Sequence, residues 1–219
     1  MTLLPILLFV HILLMVFWLG TDVGVFGSAL RYIDAARPIA ERKAVMDFGI
    51  VIDRFPRVCF VAMLPVGLQI SQLLGILPIP AWAMVLAWAT SAVWTAIVAI
   101  IIGKAGAPGA RPFQMAERVL LVTVGLALWA AGLAGLDGML EVPGWYAGKL
   151  IAFGCICFFG LVLDHSFGPV VSAFAEIEAQ GSTPARETVL TRRMWVSLRW
   201  VLSIYAAVLV AGFLGVVQP

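Results

Sequence analysis

Six apolar runs, each about twenty residues long or longer, divide this chain and constrain its fold more than any other feature. They cover about 3–30, 58–77, 81–103, 117–136, 146–172 and 198–217. A hydrocarbon core about 30 Å thick takes roughly 20 apolar residues per helical crossing, so each run is long enough to span it. In lipid every backbone N–H and C=O must be paired within the chain, so the spans are expected to be helices and not open strands. Only 12% of the 219 residues are charged and 63% are apolar, against roughly a quarter and a half in soluble domains. That balance excludes an ordinary water-soluble enzyme, a nucleic-acid binder and a disordered regulator. The expectation is an all-α polytopic transmembrane helix bundle of about six spans, with residues 1–219 forming one integral membrane domain. No Lys or Arg precedes the first apolar run, and that run is too long for a cleavable signal peptide.

Two charged stretches interrupt the apolar pattern. Between the first and second spans lies Arg31 to Arg57, with the helical-looking run 41–55, read as an amphipathic piece at the membrane surface or an extension of the second span. Glu176 to Arg193 separates the fifth and sixth spans. The first loop region holds Arg31, Arg37, Arg42, Lys43, Arg54 and Arg57. Lys104, Arg111 and Arg118 follow in the third-to-fourth region, and Arg186, Arg192, Arg193 and Arg199 in the fifth-to-sixth. Thirteen of the fourteen basic residues therefore fall on one side and Lys149 alone on the other. The positive-inside bias places that side in the cytoplasm of a bacterial inner membrane and both termini outside. Cys59, Cys155 and Cys157 form no CxxC pair and read as small buried hydrophobes.

Ionisable residues inside lipid cost a few kcal/mol each, so each calls for a partner or a function. His11 and Asp22 in the first span, and Lys149, Asp164 and His165 in the fifth, are the candidates, with Gln69 and Gln72 as weaker ones. At 1.5 Å per residue, His11 lies ~12 Å from the outer end and His165 ~27 Å, which disfavours a haem held flat between the two histidines. The same ruler puts Asp22 level with His165, and His11 level with Gln69. Two polar layers result: an outer one of His11, Gln69, Gln72 and Lys149, and an inner one of Asp22, Asp164 and His165. Each residue also has a structural reading. A histidine bonds a carbonyl, Lys149 anchors an interface beside Trp145 and Tyr146, and the glycines around Asp22 let a neighbouring helix approach. His11 and Asp22 share one face of the first span, with Met15 and Trp18 near it, and a His–Met turn is read either as packing or as a haem or copper motif.

Two stretches carry a family resemblance: HILLMVFWLGTDVGVF (11–26) and GWYAGKLIAFGCICFFGLVLDH (144–165). A histidine followed seven residues on by tryptophan and a small-residue turn, and a tryptophan followed by lysine and a later histidine, resemble the HemJ-type protoporphyrinogen oxidases. More distantly they resemble the copper-resistance D type membrane proteins. The resemblance covers 38 residues, and Asp22 stands near where that family has an arginine. It implies a haem b-containing helical bundle oxidising a porphyrinogen, with His11 and Lys149 at functional positions.

Three function classes follow. The first is a haem b redox protein: His11 as the axial, metal-binding ligand, Asp22 and Lys149 as candidate catalytic residues, and Trp18, Gln69, Lys149 and His165 as candidate cofactor contacts. Quinone or a porphyrin is then the small-molecule partner. The second is a proton-linked transporter or permease using Asp22, Asp164 and His165 as a relay. The third is a non-catalytic membrane subunit of a larger complex, or a homo-oligomer, packed through the glycine face of the first span.

Overall fold

The structure, a computed structural model, describes residues 3–103 and 108–218; Lys104, counted above among the basic residues, lies outside the described residues. Among the described residues seven α-helices follow one another: α1 (Leu3–Tyr32), α2 (Ile39–Ile52), α3 (Arg54–Leu73), α4 (Ala81–Gly103), α5 (Arg111–Leu136), α6 (Gly144–Gln180) and α7 (Pro184–Val217). The chain has no strand among the described residues, and the all-α membrane-protein fold stands.

The helix boundaries follow local chemistry. Pro56 has no N–H to donate to the Ile52 carbonyl, and α2 ends at Ile52 before α3 starts at Arg54. Thr183 caps α7 by accepting from the Arg186 N–H at 3.4 Å, and Pro184 opens the first turn, where a missing N–H is harmless. Gly75, Gly138 and Gly181 adopt positive φ in the turns that end α3, α5 and α6, conformations without a Cβ penalty only for glycine. Inside α3, Pro65 frees the Val61 carbonyl in the middle of the bundle. Ser91 of α4 donates its hydroxyl to that oxygen at 3.1 Å, which meets the lipid requirement that no backbone group stay unpaired.

Five helices, α1, α4, α5, α6 and α7, are long and apolar enough to cross a membrane. The expected second span corresponds to α3, which is shorter and carries Arg54, Arg57, Gln69 and Gln72. It still runs ~30 Å and packs between α1 and α4, with Val61, Val66 and Ile70 buried in the core. α6 is central, lying along both α5 and α7, while α1 packs on α2 and α3. The best apolar window of α6 is 39% buried against 6% for α1, so α1 turns most of its surface outward. Its exposed Phe9, Ile12, Val16 and Val23 suit contact with acyl chains.

α6 and α7 extend beyond the expected spans 146–172 and 198–217. At 37 and 34 residues they measure ~55 and ~50 Å, well past the ~30 Å hydrocarbon. Their charged ends form an overhang that holds α2. Arg42, only 1% exposed, donates from both terminal nitrogens to the Glu187 carboxylate at 2.8 and 2.9 Å, and from Nε to the Tyr32 carbonyl at 2.7 Å. Its guanidinium also lies 5.3 Å from the Phe174 ring centre. Tyr32 stacks on Phe174 at 4.2 Å, so α1, α2, α6 and α7 meet at one residue. Nearby, Lys43 donates to Glu178 at 2.8 Å, and that hydrogen bond raises the amine above its ordinary range.

Candidate functional site: two cavities stacked along the bundle

Two cavities lie inside the helices. The first, here the histidine cavity, measures about 290 Å³ and is lined by His11, Met15 and Trp18 of α1, Gly67 of α3, and Tyr146 and Lys149 of α6, among others. His11 Nδ1 is buried and has no hydrogen-bond partner. Glycines make the room. A Cβ on Gly67 would stand 3.3 Å from His11 Cε1, one on Gly215 2.7 Å from Lys149 Nζ, and one on Gly212 3.5 Å from Met15 Sδ. α3 and α7 thus present bare backbone where α1 and α6 project their polar side chains. Lys149 is within electrostatic reach of His11 and forms no ion pair among the described residues.

The second, the charged cavity, measures about 460 Å³ and touches all seven helices. Asp22, Asp53, Glu117 and Asp164 line it against Arg54 and Arg57. Arg57 Nε sits 2.6 Å from Asp53, and Arg57 Nη1 sits 3.8 Å from Glu117. Arg118 holds Asp164 at 2.9 Å from the rim. Among the described residues Asp22 has no cation within ion-pair distance. The Tyr205 hydroxyl lies beside it without closing a hydrogen bond of normal geometry, and Trp94 Nε1 stands in the same relation to Glu117.

An aromatic layer separates the two. Trp18 meets Phe60 edge-on at 5.5 Å and Phe153 at 6.4 Å; Phe60 stacks on Phe153 at 5.4 Å and meets Trp94 at 5.5 Å. Along α1 the order is His11, Trp18, Asp22: cavity, seal, cavity.

The structure brings together His11, Trp18 and Lys149, and separately Asp22 and Asp164. It does not bring Gln69 to either cavity. Gln69 Nε2 donates to Gln72 Oε1 at 2.9 Å, Trp88 Nε1 lies 3.4 Å from Gln69 Oε1, and Gln72 Nε2 donates to the Ile79 carbonyl at 2.8 Å. The α3 residue that meets His11 is Gly67. His165 is exposed on the outside of the bundle and lines neither cavity, which removes it from the inner layer expected with Asp22 and Asp164. Successive helical residues are turned by about 100°, so Asp164 at the cavity directs its neighbour away. Asp53 and Glu117 are charged-cavity residues absent from the sequence reading, and Arg57 entered it only as a loop charge. Asp53 and Arg57 sit at the start of α3, where their charge reads as loop, and Glu117 lies in the second turn of α5, at the edge of the fourth apolar run.

Of the cysteines, Cys59 and Cys157 are buried and Cys155 half-buried, all free. No group of three or more His, Cys, Asp or Glu side chains that could hold a metal ion occurs among the described residues. Compared with protein-family models, curated proteins and solved structures, the chain matches none.

Proposed function

We propose that the protein is a haem b-binding redox protein of a bacterial inner membrane, with its basic end in the cytoplasm and both termini outside. Porphyrinogen oxidation or electron transfer to quinone is its reaction class. The observation that supports this reading is the buried, unpartnered His11 Nδ1 in a glycine-cleared cavity shared with Lys149. A buried nitrogen left without a bond costs about 1–3 kcal/mol, so a bound group that accepts or ligates it recovers that cost.

The donor set fits haem in kind: one imidazole, one amine and flat aromatic walls; the volume of about 290 Å³ lies just below the usual range for small-molecule sites, roughly 300–1,000 Å³, so a macrocycle would have to widen it. His11 would hold the haem iron, and Lys149 would pair with one of the group's anionic substituents or act as a further ligand. Trp18, Trp145 and Phe153, which line the cavity, exclude water and hold the ring's faces in low dielectric. When bound, haem b supplies one-electron chemistry, its potential set by axial ligand, burial and hydrogen bonding. Gln69 and Gln72, bonded to each other, have no part in this site.

A purified sample should show a Soret band that His11→Ala removes; no band after expression with excess haem and after reconstitution would sink the reading. A second reading, proton-linked transport, is favoured by one observation: Asp22 and Asp164 line a single cavity. Its mark would be proton-coupled flux lost in Asp22→Asn with any haem band intact.

A further inference from the structure

The charged cavity has the make-up of a ligand site that the histidine cavity does not explain. Four carboxylates line it against two guanidinia; with Arg118 drawn onto Asp164, one negative charge remains in excess. Arg57 is divided between Asp53 and Glu117, so the carboxylate left without a guanidinium is Asp22. Beside Asp22 the wall is aromatic. Phe26 lines the cavity and packs on Tyr205 with ring centres 6.3 Å apart, and the Tyr205 hydroxyl faces the carboxylate. The rest of the wall near these residues is aliphatic: Val25, Val98, Ile101, Leu198 and Val201.

A carboxylate next to an aromatic face, with aliphatic side chains on the wall around it, matches one ligand chemistry. An ammonium group gains a charge-assisted contact from the acid and cation–π attraction from the rings, while its apolar body takes the aliphatic wall. A hard metal ion needs about six or more oxygens, and no group of three or more ligating side chains that could hold one is present among the described residues. An anion would find Arg57 and Arg118 already held by carboxylates, which leaves Arg54, exposed and in no ion pair among the described residues, against four lining carboxylates. At about 460 Å³, the cavity lies within the usual range for small-molecule sites, roughly 300–1,000 Å³.

We propose that the charged cavity binds an amphiphilic organic cation, an ammonium group on an apolar body, with Asp22 as its counterion and Phe26, backed by Tyr205, as its aromatic wall. This site is independent of what the histidine cavity holds.

The test uses the full chain in lipid nanodiscs and radiolabelled benzyltrimethylammonium in equilibrium dialysis, with empty nanodiscs subtracted. Saturable one-to-one binding is expected. Asp22→Asn should weaken it at least tenfold, and Val201→Phe, which fills the chamber without touching a charge, should weaken it similarly. His11→Ala should keep the cation binding even where it abolishes a haem band, so failure of one site is readable apart from the other. The proposal is overturned by the absence of a saturable component in the wild type, or by equal competition from the neutral isostere neopentylbenzene. Benzenesulfonate binding in place of the cation, or wild-type affinity in Asp22→Asn, overturns it too. Should Asp22→Asn fail to give monodisperse protein, unchanged binding in Val201→Phe decides against it.

Discussion

Removing the Glu187 carboxylate tests whether the overhang is held by charge or by packing. Arg42 is 1% exposed and its guanidinium is matched on both terminal nitrogens by Glu187. Ser182 donates to the same carboxylate at 2.7 Å. Glu187→Ala leaves a buried guanidinium with only the Tyr32 carbonyl and the Phe174 face. Breaking one partner of a buried, hydrogen-bonded ion pair costs about 3–5 kcal/mol, because the remaining charge stays desolvated. For a chain of this size, 1 kcal/mol moves a midpoint by about 2–4 °C, so the apparent Tm of the detergent-solubilised protein should fall by roughly 6–20 °C. Replacing both partners by apolar side chains, Arg42→Met with Glu187→Leu, should recover most of that loss, since neither charge is then buried. Tryptophan fluorescence melts on the wild type, Arg42→Met, Glu187→Leu and the double variant form the cycle, with Glu187→Ala measured beside them. A drop of under about 1 kcal/mol in Glu187→Ala would mean that water reaches the pair and the burial argument is wrong. A double variant as unstable as the singles would assign the loss to packing.

Ser91→Ala removes the donor to the Val61 carbonyl freed by Pro65; a buried acceptor left alone costs about 1–3 kcal/mol, readable as a lower melting midpoint, whereas an unchanged midpoint would mean another donor takes over. Gly67→Ala places a methyl 3.3 Å from His11 Cε1, while Gly20→Ala meets no atom within 4 Å. The first should lose about 1–3 kcal/mol or displace the imidazole, and the second should be neutral or gain up to about 1 kcal/mol of helix stability. Lys149→Met should keep any Soret band but weaken haem affinity roughly 10- to 150-fold, by the 1.5–3 kcal/mol of a charged hydrogen bond; unchanged affinity would remove Lys149 from the site.

What the sequence made legible was distance along the membrane normal. Apolar run lengths place α4 at 81–103, as observed, and helix rise sets His11 and Lys149 in one layer and Asp22 and Asp164 in another. Rotation about each helix axis was not legible, because it depends on which neighbours a helix finds. Gln69 fell on the face turned toward Gln72 and Trp88, and His165 on the outside, though both lay at suitable depth. Helix ends were hidden for a related reason: hydropathy drops at Glu176 and below Leu198, yet both helices continue as charged overhangs. The Arg42–Glu187 pair joins positions 145 apart, and no local pattern marks either residue.

Glycine placement shows how the same sequence produces cavities in a bundle that otherwise packs tightly. Where glycines sit opposite apolar side chains, as Gly132 against Ile151 and Gly125 against Cys157 and Phe158, a Cβ would collide or crowd its neighbour, and α5 closes onto α6. Where they sit opposite His11, Met15 and Lys149, the space they leave is taken by polar or polarisable groups at the wall of a cavity. A Cβ at Gly67 or Gly215 would press on His11 or Lys149 at 3.3 and 2.7 Å, so the space around these two side chains exists only because both positions are glycine. The charged cavity forgoes stability by setting Asp22 within a span without a guanidinium. Trp18 and its aromatic partners keep these two sites apart on one face of α1, and any process that couples them must move that layer or cross it by electron transfer.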